Sequence, residues 1–202
     1  MHLHVSQAMK VKNCISWEGS GCDMSKSIVV LSGSPRKDGN TARLTEAFIA
    51  GAHAAGKEVS LFRVAGLQIG GCRGCGHCFK NQGACVQQDD MPPILDALRQ
   101  ADALVLASPV YFFGVSAQLK LAIDRLYALL KVGMHVSRAV LLMTCGDASE
   151  AAAASSIAMF RQICAYQRWE EAGIIIAPGL HSPDDIEGRA ELEQARRLGK
   201  RV

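Results

Sequence analysis

Three clusters in this sequence carry residue types and spacings suited to chemistry. The first is Ser32-Gly33-Ser34-Pro35-Arg36-Lys37-Asp38-Gly39-Asn40-Thr41, a run of hydroxyls, glycines and bases between an apolar segment and a helical one. Exposed backbone N–H groups and a helix dipole favour an anion there. Ser34, Asn40 and Thr41 can donate hydrogen bonds and Arg36 adds charge. A plainer reading is a capped turn, but a cap needs one such residue and this loop supplies several. The run lacks the Gly-Lys-Ser/Thr ending of a nucleotide P-loop and the G-x-G-x-x-G of a dinucleotide site. A monophosphate ligand suits it better than ATP or tightly held NAD.

The second cluster is Ser108-Pro109-Val110-Tyr111-Phe112-Phe113-Gly114-Val115-Ser116, again directly after an apolar run. A planar ring system could stack on these aromatics, and Tyr111 is the better ligand candidate. Aromatics at strand ends usually pack inward, so at least one of Phe112 and Phe113 is expected in the core.

The third is Cys72-x2-Cys75-x2-Cys78-x6-Cys85, four thiols in a segment that also holds Gly71, Gly74, Gly76 and Gly83. Thiolate-rich sites select iron-sulfur clusters or zinc, and three cysteines at successive x2 spacings match a [4Fe-4S] pattern more closely than paired zinc knuckles. A zinc site, a dithiol/disulfide switch and reduced cysteines in an exposed loop remain open alternatives. With four thiols available, His77 is expected to face solvent or stand behind the ligands. Cys145 and Cys164 lie in or beside apolar runs and read as small buried hydrophobes. Trp17 and Trp169 read as surface or packing residues.

These clusters need elements to position them. The 202 residues, 49% hydrophobic and 20% charged, can fill the core of one domain, and no run is long enough to span a membrane. Eight cysteines alongside so rich a core do not describe a small secreted disulfide scaffold. With no secretory signal visible, the expected location is the cytoplasm. The net charge of +3 is mildly basic, and the lysines and arginines are scattered, so no nucleic acid is expected. Residues 1–25, with Cys14 and Cys22, are polar and aperiodic, and Met24 is a natural start; they are read as a disordered leader or misassigned start. The folded domain is expected over 26–202.

Within it, strand-like runs at Ile28 to Leu31, Val59 to Val64, Ala103 to Ala107, Ala139 to Met143 and Gly173 to Ala177 alternate with helical stretches. Leu44, Ala47, Phe48, Gly51 and Ala55 form the face of the first helix, which Gly56 stops. Asp90 before Pro92 predicts a cap for the second. Leu119, Ala122, Ile123, Leu126 and Leu130 mark the third. Asp147 with Glu150 predicts a capping box for a fourth running through Phe160, and Ser182-Pro183 with Asp185 predicts the start of a fifth. Five strands and five helices in alternation imply an α/β parallel sheet covered on both faces. In the order 2-1-3-4-5 the switch point lies between strands one and three, where the first two clusters meet.

Gly-Ser-Pro-Arg, Gly-Asn-Thr, Ser-Pro-Val-Tyr, Gln118-Leu119-Lys120 and Asp124-Arg125 together resemble the NADPH-dependent FMN reductase family, and the cysteines resemble its iron-sulfur flavoprotein branch. The resemblance implies a flavodoxin-like three-layer sandwich. It implies FMN phosphate held by Ser32, Ser34, Arg36, Asn40 and Thr41, and a flavin ring bordered by Pro109, Val110, Tyr111, Phe112 and Gly114. A third bordering loop follows strand four as Thr144-Cys145-Gly146-Asp147. It also implies a [4Fe-4S] cluster on Cys72, Cys75, Cys78 and Cys85. Asp124 and Arg125 are expected to form a structural ion pair.

The reaction so implied is hydride transfer from NAD(P)H to FMN N5 with no side chain acting as a base. Electrons then pass to a quinone, a flavin or another small acceptor, through the cluster if one is present. The alternatives are an electron carrier fed by ferredoxin and a non-enzymatic flavin or thiol redox sensor. Symmetric homo-oligomerisation, as a dimer or tetramer, is expected, with residues 128–136 one place for the interface.

Overall fold

The computed structural model describes residues 26–202; the predicted leader, with Cys14, Trp17, Cys22 and Met24, lies outside the described residues. The five expected strands form as β1 (Ser27–Ser32), β2 (Glu58–Arg63), β3 (Ala103–Pro109), β4 (Arg138–Thr144) and β5 (Glu170–Ala177). All neighbouring strands are parallel, and their order is β2-β1-β3-β4-β5. Val64, expected to extend the second strand, instead opens a short 3-10 turn, Val64–Gly66.

The helices are α1 (Asn40–Ala54), α2 (His77–Lys80), α3 (Pro92–Gln100), α4 (Ala117–Arg125), α5 (Ala154–Gln167) and α6 (Ala190–Arg201). The central strands are apolar on both sides because successive side chains point to opposite faces, and each face is covered. Ile28, Val30, Val105 and Leu142 pack beneath α1 and α6. Val29, Leu31, Leu104 and Leu141 pack beneath α3, α4 and α5.

Glycines let α1 and α6 touch. A Cβ on Gly51 would stand 1.9 Å from the Arg196 carbonyl oxygen, and one on Gly199 would stand 2.0 Å from that of Phe48. Gly56, at φ +75°, terminates α1 as expected, while Ala55 is exposed rather than part of the buried face.

Three helix starts differ from expectation because the acidic side chains bond elsewhere. Asp90 Oδ2 accepts from Gln68 N at 2.7 Å, and Asp89 Oδ1, at 3.2 Å, takes the Met91 N–H that opens α3. Asp147 Oδ1 accepts from Ser149 N, and Ser149 Oγ caps a 3-10 turn, Glu150–Ala153, that leads into α5. That helix then continues past Phe160 to Gln167. Asp185 turns its carboxylate back onto the N–H groups of His181 and Ser182, both at 2.7 Å, so this stretch is a turn and α6 begins only at Ala190. Trp169 is buried in the core. Among the described residues no helix is long and apolar enough to cross a membrane.

Candidate functional site

The C-terminal ends of β1, β3 and β4 deliver three loops to one crevice of about 110 Å³. Its walls include Ser34, Arg36, Asn40 and Thr41 from the first loop and Pro109, Val110 and Tyr111 from the second. Thr144, Cys145 and Gly146 from the third and Leu180 after β5 complete it, with Gly39. The apolar segments end here because the polar loops follow them, and α1 starts at Asn40 with no side chain capping it, its first residues Asn40 and Thr41 on the crevice wall.

The loops are bonded to one another rather than only adjacent. Gly33 donates its N–H to the Ala107 carbonyl at 2.8 Å, and its own carbonyl accepts from Ser116 Oγ at 2.7 Å. A Cβ on Gly33 would lie 2.4 Å from that hydroxyl, so the close approach requires glycine. Ser108 Oγ accepts from Ser116 N at 2.9 Å and donates to the Pro109 carbonyl. Val110 N donates to the Thr144 carbonyl at 2.7 Å, and the hydroxyls of Thr41 and Thr144 share a 2.7 Å hydrogen bond.

Three of the ten residues expected to touch the cofactor stand apart from the crevice wall. Ser32 is buried beneath the loop, and its hydroxyl has no hydrogen-bond partner among the described residues. Phe112 and Gly114 belong to a two-residue hairpin in which Tyr111 and Gly114 exchange backbone hydrogen bonds. Phe112 and Phe113 occupy its tip at φ +47° and +64°, a region costly for bulky residues. Neither is in the core, contrary to expectation: they are 99% and 63% exposed, because the turn that reverses the chain aims both rings outward.

Asn40 sits on the crevice wall, yet its side-chain amide is engaged elsewhere. Nδ2 donates to the Ser182 carbonyl at 2.7 Å, and Oδ1 accepts from Ile186 N at 3.2 Å. Arg43 adds ion pairs to Asp184 and Glu187. Together they seat the β5–α6 loop against the first loop and bring Leu180 to the crevice. Nothing local in the sequence signals this, since the partners are more than 140 residues apart. Backbone donors from Ser182 and His181 hold the Asp185 carboxyl below the usual carboxylate range. Burial, with Asp147 and Glu150 nearby, pushes the Cys145 thiol up, and burial pushes Cys164 up to about 11. Both are buried thiols, as expected.

The cysteine segment lies between Gln68 and Met91. Its base is zipped by the Asp90 N–H to the Gln68 carbonyl and by Gly70 N to Asp89 Oδ2 at 3.1 Å. Cys72 and Cys75 are exposed, Cys78 is buried at the start of the four-residue α2, and Cys85 is half-buried. His77 is exposed. Four thiols on one loop suit a thiolate-bound metal group by donor chemistry. Among the described residues no three His, Cys, Asp or Glu side chains are gathered into such a group. Gly74 and Gly76 within the segment are in left-handed backbone, a conformation glycine adopts without steric cost.

The expected Asp124–Arg125 ion pair does not form. Lys120 takes Asp124 at 2.7 Å one helical turn away, while Arg125 faces inward to Asp89. Adjacent helical residues point in different directions, and only the buried one needs a buried partner.

Comparison with known proteins agrees with this geometry. The chain is 34% identical over 188 residues to an iron-sulfur flavoprotein of Methanocaldococcus jannaschii, covering 87% of this chain and 94% of that one. It is 41% identical over 101 residues to an iron-sulfur flavoprotein of Archaeoglobus fulgidus, covering 50% of this chain and 45% of that one. Among solved structures, an azoreductase from Bacillus anthracis superposes with a TM-score of 0.68 at 18% identity, over 88% of this chain and all (100%) of that one. An NAD(P)H:quinone oxidoreductase from Methanothermobacter marburgensis gives 0.64 at 18% identity, over 87% and 96%. These two establish the flavodoxin-like fold alone. The family profile described as NADPH-dependent FMN reductase matches residues 27–172, and with the three-loop crevice at the sheet's switch point this places the chain in the NADPH-dependent FMN reductase family, as an oxidoreductase.

Proposed function

We propose that this chain binds FMN in the crevice between the β1, β3 and β4 loops and works as an NAD(P)H oxidoreductase for a small acceptor. The observation that carries the reading is the crevice itself: a loop of hydroxyls, glycines and an arginine at a helix start, cross-bonded to an aromatic-bearing loop across the switch point of the sheet. Bound there, FMN supplies hydride chemistry between NAD(P)H and a quinone, a flavin or another small oxidant.

The chain's own residues bind and orient. Arg36, the hydroxyls of Ser34 and Thr41 and the first N–H groups of α1 face the phosphate. Asn40 contributes its backbone and uses its side chain to hold the β5–α6 loop in place. The buried Ser32 hydroxyl beneath the loop has no other partner among the described residues and is available to it. Pro109, Val110 and Tyr111 border the ring, with Phe112 and Gly114 shaping the hairpin beside it. Cys145 at the wall stays a thiol at neutral pH, so it is a packing surface and not a nucleophile. The lack of a dinucleotide fingerprint fits a nicotinamide donor that visits and leaves.

In the same reading Cys72, Cys75, Cys78 and Cys85 ligate a [4Fe-4S] cluster, which the names of the archaeal relatives support. Self-association belongs to it as well. Tyr127 and Tyr166, 42% and 75% exposed, flank an apolar groove between α4 and α5 that includes Ile123, Met159 and Ile163. Anaerobic purification followed by a visible spectrum and iron and sulfide analysis tests the cofactors. Resolved flavin bands with one FMN per chain are expected, overlaid by broad absorption with about four irons. Flavin without iron removes the cluster, and absence of flavin overturns the proposal.

A further inference from the structure

Three cations from outside the cysteine loop donate to its backbone, and the redox reading above gives them no role. Arg99 Nη2 donates to the Gln82 carbonyl at 3.2 Å, and Lys131 Nζ donates to that of Phe79 at 3.1 Å. Arg125, at the end of α4, donates Nη1–H to the Gly70 carbonyl at 2.8 Å and to Asp89 Oδ2 at 2.5 Å, and Nη2–H to Asp89 Oδ1 at 3.1 Å. It therefore holds the two ends of the loop, at Gly70 and Asp89, in one fork.

Arg125 differs from the other two in being dry. Its side chain is 1% exposed, against 35% for Arg99. Its Nε is buried with no hydrogen-bond partner among the described residues. A charged N–H removed from water without an acceptor is strongly unfavourable unless an anionic group faces it. Burial opposes the charge on this guanidinium, while Asp89, engaged by both Nη atoms, and the Cys85 thiol favour it. A Cβ on Gly83 would stand 3.0 Å from the Ala128 carbonyl, so the loop is pressed against the 3-10 turn, Leu126–Leu129, that follows α4.

We propose that Arg125 is the positioning residue of the cysteine loop: by tying Gly70 to Asp89 it holds the two ends of the loop together, so that Cys72, Cys75, Cys78 and Cys85 are presented as one thiolate ligand set. The ligand-set part of this inference rests on the thiolate-site reading above, whereas the clamp between Gly70 and Asp89 does not. A ligand set of four thiolates carries excess negative charge, and a buried guanidinium at the base of the loop offsets it.

The test adds cobalt(II) to the reduced, metal-free protein and follows sulfur-to-cobalt charge-transfer absorption. Hydrogen exchange over residues 68–91 and FMN binding are measured on the same samples. Arg125→Gln is expected to weaken cobalt binding 10- to 100-fold, the usual effect of losing a group behind a metal ligand. It is also expected to speed exchange across the loop while FMN binding persists. Arg125→Lys, which keeps the charge and loses the fork, falls between. The Asp89→Asn/Arg125→Gln double variant removes both charges and keeps the test readable should the single variant fail to fold; the same cobalt loss is expected. Wild-type cobalt affinity in any folded variant lacking Arg125 overturns the positioning of the thiolates, and unchanged loop exchange overturns the clamp. If the wild-type protein gives no sulfur-to-cobalt band, the thiolate-site reading fails with the ligand-set part, and loop exchange alone decides the clamp.

Discussion

The crevice and the cysteine loop are both irregular chain at the edge of the same sheet, yet they are held by different means. The crevice loops leave directly from strand ends, and their neighbours are set by the strand register. Short hydrogen bonds among Gly33, Ser108, Ser116, Thr41 and Thr144 finish the job. The cysteine loop runs from Gln68 to Met91 with one four-residue helix inside it. It is secured by long cationic side chains from α3, α4 and the segment after α4. A site built on strand ends inherits its geometry from the sheet, whereas one built on a long loop depends on a few charged tethers.

That contrast breaks most easily at Arg125. Arg125→Gln removes the buried guanidinium from the half-buried Asp89, which keeps only its bonds from Gly70 N and Met91 N, and is expected to cost about 3 kcal/mol in urea unfolding. A loss below about 1 kcal/mol would mean the loop is not held this way. Arg36→Ala sharpens the other side of the comparison. It removes an exposed charge from a preformed site, so FMN affinity should fall by about 1.5–3 kcal/mol in a fluorescence titration while the unfolding midpoint hardly moves. Gly33→Ala pushes a methyl into Ser116 and Leu119 and is expected to destabilise by about 1–3 kcal/mol, with flavin loss in proportion.

Phe112→Gly should act in the opposite direction. It relieves a left-handed residue whose ring packs on little, for a gain of about 1 kcal/mol in thermal unfolding. A clear loss would show that the ring is packed in solution. The smallest effect concerns Asp185. Its carboxyl is held below the usual range in the folded state, so its contribution is present above the unfolded value and is lost as pH falls through the lower folded value. Exchange of the His181 and Ser182 N–H groups should therefore quicken in acid relative to the crevice amides, and Asp185→Asn should abolish that acid dependence.

The sheet was readable because its strands are buried on both faces and stand out as apolar runs, and alternation with helices left one sensible connection pattern. The first crevice loop was readable because hydroxyls, glycines and bases are concentrated in ten consecutive positions. The helix starts were less so: Asp90, Asp147 and Asp185 each have cap-forming chemistry, but each spends its carboxylate on a turn or on Gln68. Phe112 and Phe113 misled for a related reason, since hydrophobicity argues for burial and the outward hairpin that exposes them is a matter of backbone path.

By itself, then, the sequence determined the α/β order, the switch point and the composition of the two loops that meet at the crevice, because strand burial and loop composition are local properties. Only the tertiary structure decided that Asn40 seats the β5–α6 loop, that Leu180 reaches the crevice and that Arg125 pairs with Asp89 instead of its neighbour Asp124. Each of these depends on which polar group is deprived of water when distant segments pack together, and a buried donor then takes the acceptor that the fold places beside it.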